Sequence, residues 1–416
     1  MSPPRLGRDL EDLRRHNLSA VLSAVHLGGP HSRAELTDRL GLNRSTIGGL
    51  VATLVDSGHL VETVGRPRDR GGAGRPSHVV APRPTSACVL AVHIDVERVT
   101  VARVGLGGRV EDRVAQRTPP MSDRCAVEDL VLRVVERLPP STAPVVGVGV
   151  ALPALVQRPG GIVRRAPNLG WTDEPFEHGL GTRLRDALRL PDLPVLVAND
   201  ANLGVTGEQL RGAAAEQSDV VFLSGWFGLG CGVVLAGRLL QGVGGFAGEL
   251  GHVNVVPDGP ACRCGNRGCW ETMVSAPALA APLGLDPTDP RLPLTVLERA
   301  RAGDDVARGA LEDHARWYGA GLAVLVNAFN PSRLVVGGLW RHLYPHVADQ
   351  VLTAMRDRAM EAPMAQAQVV LPGLGADSIL VGASELAFGP LLADPLGEVG
   401  RGRTVTADAP ATAPSG

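Results

Sequence analysis

Three of the six cysteines of this chain lie close together in the segment PACRCGNRGCWET, residues 260–272. Zinc prefers four tetrahedral nitrogen or sulfur ligands, and closed sets of cysteine and histidine ligands are typical of structural zinc sites. Cys262, Cys264 and Cys269 can supply three of these ligands, and the glycines between them allow the chain to turn tightly. The spacing therefore indicates a zinc site. The alternatives are three buried free thiols or a disulfide bond.

The composition is typical of a soluble globular protein, with 44% hydrophobic and 20% charged residues in 416. A chain of this length is expected to form two or three domains. Its first residues are charged and carry no apolar core, which argues against a signal peptide. The longest apolar run is shorter than a membrane span and is interrupted by proline and glycine. We therefore expect a cytoplasmic protein with no membrane contact, a setting in which clustered cysteines favour metal over disulfides.

The first eighty residues show the pattern of a helix-turn-helix. Apolar residues at helical spacing predict a first helix around residues 18–25. Ser32 and Glu35 have the spacing of a capping box and begin a second helix that ends near Gly41. Asn43 is placed to cap a third helix, which would be the recognition helix of the motif.

Two predicted strands flank the loop RPRDRGGAGRP and complete a winged DNA-binding module. Residues 1–85 carry more arginines than acidic residues, as expected of a surface that contacts a polyanion. Gly48 and Gly49 remove two side chains from the recognition helix, so readout is expected from its first residues and from the wing. The alternative is a small three-helix domain that binds protein. The predicted DNA-binding residues are Arg44, Ser45, Thr46, Arg66, Arg68, Arg70 and Arg75.

The rest of the chain alternates predicted strands and helices. Three strand patterns begin at residue 88 and are followed by a helix and the buried strand APVVGVGVAL, and a second set of strands begins at residue 219. Two such sets indicate two α/β lobes with a cleft between them. The residues from about 394 onward are rich in proline, alanine, threonine and glycine, and are predicted to be disordered.

Three sequence blocks carry a resemblance to the ROK family of repressors, open reading frames and sugar kinases. The segment CRCGNRGCWE matches the family signature C-x-C-G-x-x-G-C-x-E, and NDAN at 199–202 and GELGH at 248–252 are two further blocks in the right order. The resemblance covers about residues 10–390. It implies an N-terminal winged helix-turn-helix (α+β) followed by a two-lobed α/β actin-like (ribonuclease H-like) sugar kinase fold.

The resemblance also implies a division of the chain into domains. Residues 1–82 are expected to form the winged DNA-binding domain and residues 83–200 the first α/β lobe. Residues 201–393 are expected to form the second α/β lobe with the zinc-binding loop, with a C-terminal helix that returns to the first lobe. Residues 394–416 remain as a disordered tail.

Individual residues take on roles by the same resemblance. His252 completes the zinc site with the three cysteines, which gives one structural Zn²⁺ per chain. The matching glutamates of the family bind sugar hydroxyls, and carboxylates suit this task because they accept hydrogen bonds from neighbouring hydroxyl groups. Asp200 stands at the general-base position of the kinases. The implied sugar-binding residues are Asn168, Asn199, Asp200, Glu249, His252 and Glu271.

The phosphate-binding loops of the kinases are replaced in this chain. ROK kinases carry D-x-G-G-T after the first strand, where this chain has DVERV, with Glu97 and Arg98 in place of both glycines. They carry G-T-G-x-G in the second loop, where this chain has WFGLG, with Trp226 and Phe227. Backbone amides wrap phosphates in glycine-rich loops, and a carboxylate there repels the anion. The sequence therefore predicts sugar binding without kinase activity.

The expected function is a sugar-responsive transcriptional regulator, and specifically a repressor of carbohydrate-uptake or metabolism genes. Its expected partners are operator DNA, a sugar or sugar-phosphate effector, and its own copies in a homodimer or higher homo-oligomer, because one short helix reads too few bases for genomic specificity. Two alternatives stay open. One is a bifunctional ATP-dependent sugar kinase with a fused DNA-binding domain, and the other is a constitutive DNA-binding protein with a vestigial sugar pocket.

Overall fold

The computed structural model describes residues 6–65, 77–119 and 123–397 of the chain. Within these ranges the chain forms a small N-terminal module and two larger lobes, each built around a five-stranded sheet. This arrangement confirms the predicted fold class. Across the same ranges, none of the helices combines the length and apolarity that a membrane span requires.

The N-terminal module contains three helices and a three-stranded antiparallel sheet. Its elements are α1 (Leu6–Gly28), β1 (His31–Ser32), α2 (Arg33–Leu40), α3 (Arg44–Asp56), β2 (Leu60–Gly65) and β3 (Ser77–Pro82). Ser32 Oγ accepts a hydrogen bond from the Glu35 amide at 3.2 Å, and Glu35 Oε2 accepts one from the Ser32 amide at 2.6 Å, which completes the predicted capping box. Asn43 Oδ1 caps α3 by accepting from the Thr46 amide at 2.8 Å. Strand β1, which pairs with β3, has no signal in the sequence.

The first lobe surrounds a sheet whose central strands are apolar on both faces. Its elements are β4 (Cys88–Ile94), β5 (Arg98–Gly105), β6 (Arg109–Arg117), α4 (Arg124–Glu136), β7 (Val145–Leu152), β8 (Leu155–Gln157), β9 (Ile162–Ala166), β10 (Trp171–Glu174), α5 (Phe176–Leu188), β11 (Val195–Asn199) and α6 (Asp200–Arg211). The large sheet has the order β11-β7-β4-β5-β6, with β4 parallel to β7 and antiparallel to β5. Helices α4 and α5 pack on one face. The small sheet β8-β9-β10, which the sequence did not predict, shares the apolar core of this lobe.

The second lobe has the sheet order β14-β13-β12-β15-β16. Its elements are β12 (Val220–Ser224), β13 (Gly230–Leu235), β14 (Arg238–Leu239), a 3₁₀ turn (Leu250–His252), α7 (Glu271–Val274), α8 (Ala276–Ala280), a second 3₁₀ turn (Ala281–Leu283), α9 (Leu292–Arg301), α10 (Asp305–Phe329), β15 (Arg333–Val336), α11 (Trp340–Arg356), α12 (Glu361–Gln366) and β16 (Gln368–Val370). The last helix, α13 (Ser378–Ala393), follows β16 in the chain and packs on the first sheet. Asp304 Oδ1 caps helix α10 by accepting from the Val306 and Ala307 amides at 3.0 and 3.1 Å.

Helix α13 joins three parts of the molecule. It packs on β4 and β7 of the first sheet, on α6, and on α1 of the N-terminal module. Its backbone lies so close to β7 that a Cβ on Gly147 would stand 2.5 Å from the Ala387 carbonyl oxygen, and one on Gly149 would collide with the Ala383 carbonyl. The apolar core of the N-terminal module is continuous with the core beneath α13.

The end of the described chain also contacts the N-terminal module. The buried His59 ring lies 2.8 Å, through Nε2, from the carbonyl oxygen of Pro395. Residues 398–416, which make up most of the predicted disordered tail, lie outside the described residues. The domain boundaries drawn from the sequence remain predictions.

We expect Gly149→Ala to lower the free energy of unfolding by about 1–3 kcal/mol, the usual cost of overpacking a core. The added methyl group meets the Ala383 backbone, which cannot rotate away. Urea unfolding followed by circular dichroism measures the change. Gly309→Ala in α10 is the control, because it is exposed with nothing within 4 Å of the added Cβ and helix propensity favours alanine by about 1 kcal/mol. Unchanged stability of Gly149→Ala would contradict the close packing of α13 on β7.

Candidate metal centre and ligand cavity

His252, Cys262, Cys264 and Cys269 form one cluster, with all four potential ligand atoms within 4.8 Å of one another. The Cys264 and Cys269 sulfurs are 3.7 Å apart, and Cys262 Sγ is 3.6 Å from His252 Nδ1. In a tetrahedral site with metal–sulfur bonds of about 2.3 Å, ligand atoms are separated by about 3.8 Å. The cluster therefore has the donor atoms and the dimensions of a tetrahedral metal centre.

The backbone of the loop positions these ligands with little help from a hydrophobic core. Two isolated bridges, Asn254 with Cys269 and Ala261 with Arg267, fold the segment onto itself. Gly265 and Gly268 have φ values of 103° and 67°, a left-handed conformation that glycine adopts without strain. The Cys262 amide donates to the Asn266 carbonyl at 2.8 Å and closes the tight turn between the first and third cysteines.

One cavity of about 280 Å³ lies between the two lobes beside this cluster. The structure brings all of the sugar-binding residues inferred from the sequence to its wall, although they come from four separate segments: Asn168, Asn199, Asp200, Glu249, His252 and Glu271. The volume is close to the lower end of the range for small-ligand sites in proteins.

Four carboxylates line this cavity: Asp95, Asp200, Glu249 and Glu271. Its enclosure, together with the neighbouring Asp200 and Glu271, raises the pKa of Glu249 to about 7. Burial also raises the pKa of Asp200, although His93 opposes the shift. Glu271 Oε2 accepts a hydrogen bond from the Leu229 amide at 3.3 Å, and its Oε1 lies 2.9 Å from the Cys262 sulfur. Carboxylates crowded in this way gain most from a ligand that donates several hydroxyl hydrogen bonds.

The first lobe supplies the amides of the cavity. Asn199 caps α6, because its Oδ1 accepts from the Asn202 amide at 3.0 Å while its Nδ2 donates to the Ala154 carbonyl at 3.2 Å. Asn168 follows β9, and its Oδ1 accepts a hydrogen bond from the Arg263 guanidinium at 3.0 Å. Asn199 therefore fixes the start of α6, whereas Asn168 reaches the second lobe.

Arg263 is a functional candidate that the sequence did not reveal. It stands between two metal-ligand cysteines in the second lobe, and it bonds both to Asn168 and, through its carbonyl, to Arg165 at 3.4 Å in the first lobe. The metal-binding loop is thereby tied across the cleft. The sole signal in the sequence was a charged residue inside the cysteine segment, which alone does not indicate a contact with another lobe.

The residues that replace the kinase phosphate loops line an adjoining cavity of about 410 Å³: Glu97, Arg98, Trp226 and Phe227. Asp95 and Asp200 belong to the wall of both this cavity and the first one. Burial and the Asp95 carboxylate raise the pKa of Glu97. The Trp226 indole is fixed by a 2.7 Å hydrogen bond to the Pro287 carbonyl. Acidic and aromatic side chains thus face this second cavity together with the arginines Arg98, Arg113 and Arg341.

The predicted DNA-binding residues fall into two groups. Arg44 and Ser45 are exposed at the start of α3, and Thr46 is half-buried beside them. Ser45 Oγ donates to the capping Asn43 at 2.7 Å. The wing residues lie outside the described residues: Arg66, Arg68, Arg70 and Arg75.

Comparison with known proteins gives consistent matches. The model of the ROK family matches residues 89–389. The xylose repressor of Bacillus subtilis is 26% identical over 378 residues, which cover 90% of this chain and 95% of the repressor. A glucokinase of Streptomyces coelicolor is 33% identical over 264 residues, which cover 59% of this chain and 81% of the glucokinase. The crystal structure of a ROK family transcriptional regulator, a homologue of the Escherichia coli MLC protein, superimposes with a TM-score of 0.72 at 25% identity and covers 92% of this chain and 98% of its own.

We expect the purified protein to hold one divalent metal ion per chain in the His252 and cysteine cluster. Cys264→Ala should lose the ion, because three remaining ligands bind metal much more weakly, whereas Cys125→Ala should keep it, because Cys125 is exposed and lies outside the cluster. Elemental analysis gives the stoichiometry, and cobalt substitution followed by absorption spectroscopy reports thiolate ligation. A metal-free wild-type protein that also fails to bind added cobalt would contradict the assignment.

Proposed function

Because the chain belongs to the ROK family, we propose that it is a sugar-responsive transcriptional repressor that binds a sugar between its lobes without phosphorylating it. The observation that carries the proposal is the contrast between two adjoining cavities. One is lined by the complete set of family sugar-binding positions, and the other by the residues that replace the phosphate loops. An N-terminal helix-turn-helix module precedes both lobes in the chain.

The extent of the similarities favours a regulator over a kinase. The xylose repressor and the ROK transcriptional regulator each match at least 90% of the chain, and this length includes the N-terminal module. The glucokinase has a higher sequence identity to this chain than the repressor has, but it matches only 59% of the chain. The similarity to the kinase is therefore limited to the two lobes, whereas the similarity to the regulators also includes the N-terminal module.

The metal that this cluster would hold is zinc, with a structural role. Cysteine and histidine ligands at these distances suit zinc, and a site whose four positions are filled by protein leaves no position for an activated water. The ion would tie the segment that carries His252 to the loop that ends at Glu271. Both carry residues of the cavity wall, so the zinc holds the sugar site in shape.

The sugar would bind through its hydroxyl groups. Glu249 and Glu271 from the second lobe and Asp200 from the first accept hydrogen bonds from neighbouring hydroxyls. Asp200 keeps the position of the kinase general base and serves binding alone. Contacts from both lobes give the sugar a higher affinity for a closed cleft than for an open one, and such a difference is what allows a ligand to shift a conformational equilibrium.

Phosphoryl transfer is disfavoured by the second cavity. Catalysis of this reaction depends on glycine-rich loops whose backbone amides wrap the phosphates. Here the carboxyl group of Glu97 and the indole of the fixed Trp226 stand in the position of those loops. The bifunctional kinase is the second candidate, and it is favoured by the retained Asp200 alone.

DNA binding would use the exposed start of α3 together with the wing. Arg44 and its two neighbours can reach base edges in the major groove. A homodimer would place two such helices on a roughly palindromic, AT-rich operator, because one helix reads too few bases for specificity. The arginines of the wing add phosphate or minor-groove contacts.

We expect isothermal titration with glucose, xylose and N-acetylglucosamine to identify at least one sugar that binds, and MgATP to cause no sugar-dependent ADP formation. Asp200→Ala should weaken sugar binding by about 10–100-fold, the effect of removing a hydrogen bond to a charged group. The exposed Asp192→Ala is the matched control and should bind normally.

Turnover of about 1–100 s⁻¹ in a coupled assay, the usual kinase range, would instead support the bifunctional enzyme. Specific operator binding with no affinity for any of a wider panel of hexoses, pentoses, amino sugars and sugar phosphates would support the constitutive DNA-binding protein with a vestigial pocket.

A further inference from the structure

A buried ionic cluster joins the N-terminal module to the two lobes. His26 near the end of α1, Arg211 at the end of α6 and Glu385 in the middle of α13 meet there. His26 Nε2 lies 3.0 Å from one carboxylate oxygen of Glu385, and Arg211 Nε donates to the other at 2.6 Å. The side chains of His26 and Glu385 are 0% and 4% exposed. The buried charge of Glu385 is compensated by the Arg211 guanidinium and by the hydrogen bond with His26 Nε2.

Arg211 also completes the hydrogen bonding of α1. Its second and third nitrogens donate to the carbonyl oxygens of His26 at 3.1 Å and Gly107 at 3.2 Å, and the Gly107 amide donates to His26 Nδ1 at 2.9 Å. The last carbonyls of a helix have no partner within it, and a cation at that end is favourable for the helix dipole. The end of α1, directly before the helix-turn-helix, is therefore held by a side chain from another domain.

Helix α6 connects this cluster to the ligand cavity. It begins at Asp200 in the cavity wall and ends at Arg211, a span of about 18 Å at 1.5 Å per residue. It is wedged against α13, because a Cβ on Gly382 would collide with the Leu203 carbonyl and one on Gly207 with the Ser378 carbonyl. On its other side it packs on β12 and β13 of the second lobe. A helix packed this closely moves as one body.

We infer that Arg211, Glu385 and His26 are the positioning residues through which sugar binding at one end of α6 changes the orientation of the DNA-binding module at the other. This inference rests on the proposed function, since it specifies the route of a response to sugar. A shift of α6 at Asp200 moves Arg211, and the shared hydrogen bonds pass the shift to α1 and α13 together. Because the cluster is buried and closely packed, its three side chains cannot move independently, and a displacement of one displaces the others.

The test compares operator affinity with and without sugar in variants of the cluster. Glu385→Gln keeps the shape of the side chain but removes its charge, and Arg211→Lys keeps the charge but cannot reach three acceptors in the guanidinium fork. The probe is the monosaccharide that wild-type protein binds most tightly among glucose, xylose and N-acetylglucosamine, and the DNA is an operator selected from random sequence. Fluorescence anisotropy gives the operator Kd in each state, and thermal unfolding reports whether each variant folds.

Glu128→Gln is the matched control. Glu128 is a second buried glutamate paired with two arginines, Arg124 and Arg183, but it lies between α4 and α5, away from α6 and the N-terminal module. The Glu128→Gln variant measures how the loss of a buried ion pair outside the proposed route affects stability and DNA binding. We expect it to keep the wild-type ratio of the two operator Kd values.

The expected result is a wild-type ratio in the usual range of about 5–150 that falls to about 1–2 in Arg211→Lys and Glu385→Gln, with sugar still bound. Wild-type ratios in both variants would overturn the inference and leave the proposed function standing. An equal loss in Glu128→Gln would overturn it as well, because the effect would then follow stability and not this route. A wild-type protein that binds sugar with no change of operator affinity would contradict the proposed function itself.

Discussion

The close contact between the backbones of α13, β7 and α6 is the constraint on which the rest of the molecule depends. Gly147 and Gly149 allow α13 to lie directly on the sheet, and Gly382 does the same for α6. Contact at this distance leaves no room for independent sliding, since protein interiors are close-packed. The last helix of the chain thereby joins the first sheet, the helix that carries Asp200, and the DNA-binding module into one unit.

The metal cluster positions polar residues in a segment of the chain that makes few apolar contacts. The loop from His252 to Glu271 must present carboxylates to the cavity, and buried carboxylates destabilise a loop that nothing else fixes. The four potential ligand atoms, which lie within 4.8 Å of one another, would fix this loop by binding one ion. The cross-cleft bonds of Arg263 then connect this rigid loop to the first lobe. The two walls of the cavity are therefore bonded to each other through this residue.

Local patterns in the sequence predicted what local physics determines. The Ser32 capping box, the Asn43 cap and the apolar strands were readable because each depends on neighbours in the chain. The residues around the cavity were assigned by family resemblance; the structure places them in one cavity wall, and their roles stay predictions. The contact of His26 with Glu385, 359 positions apart, was not predictable, because a lone buried ion pair has no periodicity or motif. Strands β8, β9 and β10 were not predicted either, because strands of three to five residues are too short to show a periodic pattern.

The central claim, that one protein couples a sugar cavity to DNA binding, is tested most directly by the reciprocity of the two equilibria. Sugar affinity is measured with and without saturating operator, and operator affinity with and without saturating sugar, on the same preparation. Linkage requires both pairs to change by the same factor, expected in the range of about 5–150. Equal factors in that range would support a sugar-controlled switch. If sugar binds and neither affinity changes, the cavity and the DNA-binding module are independent and the claim is wrong.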